Sequence, residues 1–89
     1  MKAHKEGKTF YVKVRDAQSL LYEGNVVSLS SYNDKGPFDI LPEHSHFISL
    51  IKQKLTIREQ NGKSTELNVD TGILRFSSGK ADVFLGIGT

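Results

Sequence analysis

Alternation of apolar and polar residues with a period of two is the feature that most restricts the fold of this chain. Phe10, Val12 and Val14 share one side of a strand, while Lys13 and Arg15 share the other. The pattern recurs three times further along the chain, at 54–58, 66–69 and 81–87. A strand with one buried face has this period because successive side chains point to opposite sides of the sheet. The chain is therefore predicted to be all-β.

Turn dipeptides separate these runs and predict hairpins. Asn61-Gly62 is typical of a type I′ turn, which needs positive φ at both central residues, and is expected to join strands around 54–60 and 63–70. Ser78-Gly79 is expected to join 72–77 to 80–86. Short strands at regular spacing with such turns are typical of sandwiches and barrels. We predict a small antiparallel β-sandwich of roughly 8–10 short strands.

Length and charge limit the domain organisation and the partners. The 89 residues are enough for one domain. Residues 1–8 carry three lysines and one glutamate, which account for the net charge of +2, and we interpret them as a flexible polar tail before a domain at 9–89. The domain has no basic stripe interleaved with aromatic residues, so no nucleic acid is expected as a partner, and Phe76 and Phe84 are expected in the core. No signal peptide or membrane span is recognisable, so the expected location is cytoplasmic.

The segment 36–47 is the least strand-like part of the sequence. Pro37 and Pro42 fix φ and remove two backbone donors, so strand pairing is expected to be interrupted and the segment to form a rigid connection. Phe38, Ile40 and Leu41 are available to anchor it to the core. Rigid loops on a β scaffold are common recognition sites, but they are also ordinary sheet corners. The residues alone favour the corner.

His44 and His46 form an H-x-H pair that would lie on one face of a strand. Zinc needs three or four ligands, and Glu43 falls on the opposite parity, so no metal site is expected. Ser45 lies between the histidines without a recognisable triad partner, so no catalytic residue is expected. The chain has neither a glycine-rich phosphate loop nor a cysteine, and no cofactor is expected.

The segment Gly36-Pro37-Phe38-Asp39-Ile40-Leu41-Pro42-Glu43-His44 resembles the G-x-[F/L]-G-[I/V]-L-P-G-H motif of the epsilon subunit of F-type ATP synthases. Two further stretches are similar to motifs of the same family. Residues 21–26 resemble [L/M]-[F/Y]-x-G-x-V, and residues 69–76 resemble V-x-G-G-x-L-x-V. The resemblance covers about residues 9–89 and implies the N-terminal β-sandwich domain of that subunit. The two C-terminal helices that usually follow in the family have no counterpart in this sequence.

This resemblance implies a non-catalytic central-stalk (rotor) subunit of F-type ATP synthase. Such a subunit couples the gamma subunit to the membrane c-ring during proton- or sodium-driven ATP synthesis, at the inner face of the membrane and as part of F1. The residues that would face the c-ring, carried over position by position, are Pro37, Phe38, Asp39, Glu43 and His44. The residues that would face the gamma subunit are Asp16 and Ser49.

The sequence also departs from the family motifs. Asp39 and Glu43 each replace a glycine, and Thr71 replaces the first of two paired glycines. Glutamate rarely adopts a left-handed backbone, so the loop is expected to have a different local shape. Two alternatives remain open: a free-standing β-sandwich protein-binding module unrelated to ATP synthase, and a small hydrolase or metal protein built on Glu43, His44 and His46.

Overall fold

The computed structural model describes residues 8–86, and these residues form seven strands and no helix. The strands are β1 (Phe10–Arg15), β2 (Leu20–Val26), β3 (Ser28–Asn33), β4 (Gly36–Ile40), β5 (Phe47–Arg58), β6 (Ser64–Ser77) and β7 (Lys80–Leu85). The all-β fold class is confirmed. The strands are fewer than predicted because β5 and β6 are long, with 12 and 14 residues. The predicted tail lies outside the described residues up to position 7, as does Ile87, the predicted last inward-facing residue.

All seven strands belong to one hydrogen-bonded sheet in the order β2-β1-β7-β6-β5-β3-β4. The β1–β7 pair is parallel and every other pair is antiparallel. The register of β5 against β6 shifts between Ile51 and Gln53, and Gln53 has a φ of 73°. Such a bulge bends and twists the strands. The sheet divides there into two layers, because one half of each long strand pairs on either side of the bulge.

The first layer contains β2, β1, β7 and the halves of β6 and β5 at 72–77 and 47–51. The second layer contains the other halves together with β3 and β4. Buried side chains of both layers form one apolar cluster, which includes Val12, Leu55 and Val83 from the predicted alternating runs. The alternation is therefore confirmed as the inward-facing pattern.

The type I′ conformation predicted for Asn61-Gly62 occurs instead at the other hairpin turn, Ser78-Gly79. Ser78 and Gly79 have φ of 53° and 74° and join Ser77 directly to Lys80, which is the type I′ geometry. At Asn61-Gly62 only Gly62 has positive φ, 94°. The hairpin is confirmed there, but the predicted type I′ turn is wrong. The loop is a turn closed by a hydrogen bond of 3.0 Å from the Gly62 N–H to the Glu59 carbonyl, and left-handed Gly62 is the last residue of that turn.

Strand pairing is not interrupted at Pro37, contrary to the prediction. β4 pairs with β3 along its whole length, with Pro37 opposite Tyr32. A two-residue turn joins Asn33 to Gly36, so the residues of this pair bond to each other and the nitrogen of Pro37 faces away from β3. Because β4 is an edge strand, proline costs no ladder hydrogen bond at this position.

Candidate docking surfaces

An apolar row crosses the outer face of the first layer near the bulge. The strand register places Leu50 beside Ile73, Ile73 beside Phe84, and both Phe84 and Leu20 beside Arg15. Ile48 lies on the same side of β5, two residues before Leu50. We call Leu20, Ile48, Leu50, Ile73 and Phe84 the apolar band; exposed Arg15 lies in the same row, between Phe84 and Leu20. Leu20, Ile48 and Leu50 are 53%, 63% and 66% exposed, so this face carries large side chains that the domain itself does not cover.

A charged row runs beside the apolar band. Arg75 pairs with Ile48 on one side and Asp82 on the other, and Lys13 then lies between Asp82 and Glu23. The signs alternate across the four strands, so the row has no net charge. A partner surface that covers both rows therefore needs an apolar stripe next to alternating charges. Such a pattern favours one orientation of docking over others.

Asp16 and Ser49, the residues predicted to face the gamma subunit, lie at the borders of the apolar band. Asp16 directly follows β1, and its Oδ1 accepts the N–H groups of Gln18 and Ser19 at 2.9 Å each. These two bonds hold the pKa of Asp16 below its ordinary value of 3.8. Ser49 lies between Ile48 and Leu50, where its Oγ accepts Asn33 Nδ2 at 3.1 Å. Both side chains therefore have local structural roles within the domain.

The segment from Leu41 to His46 connects β4 to β5 at the opposite end of the first layer from Asp16. His44 N–H donates to the carbonyl of Leu41 at 2.9 Å, which closes a turn with Pro42 at its second position. Glu43 does not have positive φ, and neither does Asp39. Both residues are thus accommodated without a left-handed backbone in the places where the family has glycine. Leu41 does not anchor the loop as predicted, because it is 49% exposed.

The two histidines of this segment contact different neighbours. The His44 ring lies edge-on to the rings of Phe47 and Phe76, with centroids 5.5 and 6.2 Å away. His46 Nδ1 lies 3.0 Å from Ser77 Oγ. Within residues 8–86 no three His, Asp or Glu side chains come together as a metal site. The geometry thus gives no support to the alternative of a hydrolase or metal protein.

The other three residues predicted to face the c-ring lie on β4. Pro37 and Asp39 are exposed, and Asp39 Oδ1 accepts the hydroxyl of Ser30 at 2.5 Å. Phe38 points to the inner side, where its ring centroid lies 5.2 Å from that of Phe47. Phe38 therefore packs one layer against the other, and only its neighbours present side chains to a partner.

Sequence reasoning missed the apolar band. Phe84 was predicted to be in the core, but it is 38% exposed on the outer face. Its parity could have revealed this, because Ala81, Val83 and Leu85 are the inward-facing residues of β7. Ile48 and Leu50 have the opposite parity to inward-facing Ile51, so parity also predicts that they face outward. That inference requires knowing where β5 begins.

A sequence profile described as ATP synthase, Delta/Epsilon chain, beta-sandwich domain matches residues 9–85. The chain belongs to this family. Family membership confirms the resemblance found in the sequence, and it decides against a β-sandwich module unrelated to ATP synthase. No curated protein sequence matches the chain significantly.

Solved structures share the fold of this delta/epsilon domain. A chain in the Euglena gracilis mitochondrial ATP synthase structure (OSCP/F1/c-ring in rotational state 1) superposes with a TM-score of 0.80 at 13% identity, covering 96% of the present chain and 57% of its own length. A chain in the Tetrahymena thermophila mitochondrial ATP synthase structure (central stalk/c-ring) superposes with a TM-score of 0.71 at 12% identity, covering 84% of the present chain and 61% of its own length. The delta/epsilon domain thus spans less than two thirds of either chain. Among residues 8–86 there is no helix that could cross a membrane.

Proposed function

We propose that this delta/epsilon domain is a non-catalytic part of the ATP synthase central stalk that fixes the gamma subunit to the c-ring. The apolar band is the observation that carries the proposal, since a stalk part needs a surface that binds a partner permanently. Permanent interfaces are more apolar at their centre than other protein surface. Family membership and the likeness to chains of ATP synthase assemblies support the same function.

The two ends of the first layer suit two different partners. The gamma subunit would cover the apolar band and its charged row, near Asp16 and Ser49. The c-ring would contact the connection at the other end through Glu43 and His44, with Pro37 and Asp39 on the edge strand. In this proposal the complex lies at the inner face of the energy-transducing membrane, with the domain between gamma and the ring. Torque then passes through a close-packed β-sandwich, which deforms little.

Reciprocal variants test the proposal. Ile48→Glu puts a charge in the apolar band, and Leu41→Glu puts one in the connection between β4 and β5. Both side chains are exposed in the free domain, so neither change removes core packing. We expect Ile48→Glu to weaken binding to the gamma subunit of the same organism by about tenfold or more, which is about 1.4 kcal/mol. Leu41→Glu should leave that affinity unchanged and weaken binding to purified c-ring.

Size-exclusion chromatography of the domain co-expressed with gamma gives the first readout, and calorimetric titration gives the affinities. If the unaltered domain and gamma migrate separately at micromolar concentration, the stalk function is wrong. If both variants weaken gamma binding equally, the separation of the two surfaces is wrong.

A further inference from the structure

The half of β5 at 47–51 is an open edge of the first layer. It pairs with β6 on one side, while β3 joins the other side of β5 only from Lys52 onward. The edge lies in an open groove with a volume of about 700 Å³, bounded by residues 33–35 and 70–71. Pockets of this size are common ligand sites, and the groove is large enough for a short extended segment of polypeptide.

The register identifies which backbone groups are open. Ser77 and Lys80 close the type I′ hairpin and therefore bond to each other, so every second residue of β6 from Ser77 bonds to β7. The bond of 2.7 Å from the Gly86 N–H to the Thr71 carbonyl fits this alternation. Residues 72, 74 and 76 of β6 consequently bond to β5, through partners 51, 49 and 47. The backbone groups of Ile48 and Leu50 face the groove. Among the described residues, the contact made with them there is from Ser49 Oγ to the Leu50 carbonyl at 2.8 Å.

This edge lacks the protection that the β4 edge has. On β4, Pro37 removes an outward donor and Asp39 places a charge beside it. On β5, the outward positions carry the exposed apolar side chains Ile48 and Leu50. An apolar strand edge with open donors and acceptors is a template for another strand.

Ile48 and Leu50 belong both to this edge and to the apolar band. A partner that covers the band therefore also removes water from the open backbone groups. Burial of these groups without new hydrogen bonds is strongly unfavourable. The covering partner must supply donors and acceptors at the edge, and an extended backbone supplies both at the spacing of the strand.

We infer that an extended segment of the gamma subunit adds to β5 beside Ile48 and Leu50 as an extra strand, an inference that rests on the proposed function. The added segment carries apolar residues at two positions i and i+2, which lie next to the two apolar side chains on the outer face. The residue between them points towards Ser49 and Asn33, where a polar or small side chain fits. Strand addition provides affinity through the backbone and specificity through alternate side chains.

Leu50→Pro tests the inference, with Leu50→Ala as the matched control. Both remove the leucine side chain, but only proline removes the N–H that faces the groove, and it leaves the bonds to β6 in place. We expect Leu50→Pro to bind gamma about tenfold or more weaker than Leu50→Ala. Equal affinities of two folded variants would overturn the inference.

Hydrogen exchange on the unaltered domain does not depend on a variant that folds. The amides of Ile48 and Leu50 should exchange fast in the free domain and about tenfold or more slower in the gamma complex, whereas the Ser49 amide is protected in both. If gamma binds and the two amides still exchange fast, strand addition is wrong while the stalk function stands. If gamma does not bind, the stalk function fails and the inference fails with it. Protection that rises with the concentration of the domain alone would identify a second copy as the occupant instead.

Discussion

Gly72 lies where β6 packs closely against Ile51 and β7, and replacement by valine should destabilise the domain. A Cβ at this position would lie 2.8 Å from Leu85 Cδ2, 3.1 Å from the Phe84 carbonyl oxygen and 3.2 Å from Ile51 Cγ1. The leucine side chain can rotate away. The carbonyl cannot, because it belongs to the backbone of β7, which pairs with β6 at this position.

The magnitude follows from packing. Extra atoms in a well-packed site cost about 1–3 kcal/mol, and valine adds two methyl groups beyond the Cβ that already clashes. Replacement of glycine also stabilises the folded state by about 0.4–1 kcal/mol, because it lowers the conformational entropy of the unfolded chain. We expect Gly72→Val to lower the free energy of unfolding by about 1–2 kcal/mol, which is roughly 4–16 °C in Tm for a domain of this size.

Gly24→Val is the matched control. Gly24 also lies in a strand without positive φ, but a Cβ there would meet nothing closer than Tyr22 Oη at 3.5 Å, an ordinary contact. Its Tm should stay within about 4 °C of the unaltered domain. Thermal melting followed by circular dichroism measures both variants. Equal Tm values for the two would refute the close-packing argument.

Two further predictions concern hydrogen bonds outside the core. Asp16→Ala should lower Tm at neutral pH, because it removes the acceptor of two N–H groups, while Asp16→Asn keeps an acceptor. Since the pKa of Asp16 is lowered in the folded domain, the stability that its carboxylate contributes is present above pH 3.8 and is lost as the pH falls below that value. The Tm values of Asp16→Ala and the unaltered domain should therefore converge in acid. Tyr22 Oη donates to Glu59 Oε2 at 2.8 Å and links the two layers, so Tyr22→Phe should cost about 0.5–1.5 kcal/mol in urea unfolding. Burial, then the bond to Glu59, raises the pKa of Tyr22 to about 12. The stability contributed by the Tyr22 hydroxyl is therefore lost as the pH rises from 10 to 12. A Tyr22→Phe variant that loses as much stability over this pH range as the unaltered domain would contradict this role of Tyr22.

The sequence by itself determined the fold class and the inner face of most strands. Alternation along 10–15 and 81–85 was sufficient because side-chain direction in a strand is a local property. The family motifs around Gly36 and Gly72 were likewise local, and the profile over residues 9–85 agrees with them. The hairpins at Asn61-Gly62 and Ser78-Gly79 were located by composition alone, although their conformations were not.

Only the tertiary structure decided how the strands are shared between layers and which apolar side chains remain outside. The register shift between Ile51 and Gln53 lets two long strands serve both layers, and no local pattern marks it. Ile48, Leu50 and Phe84 have the composition of core residues, but their exposure depends on which elements cover the outer face. The open edge beside Ile48 exists for the same reason, since strand order is a property of the whole sheet. The proposed docking surface is therefore a consequence of topology and burial rather than of any motif.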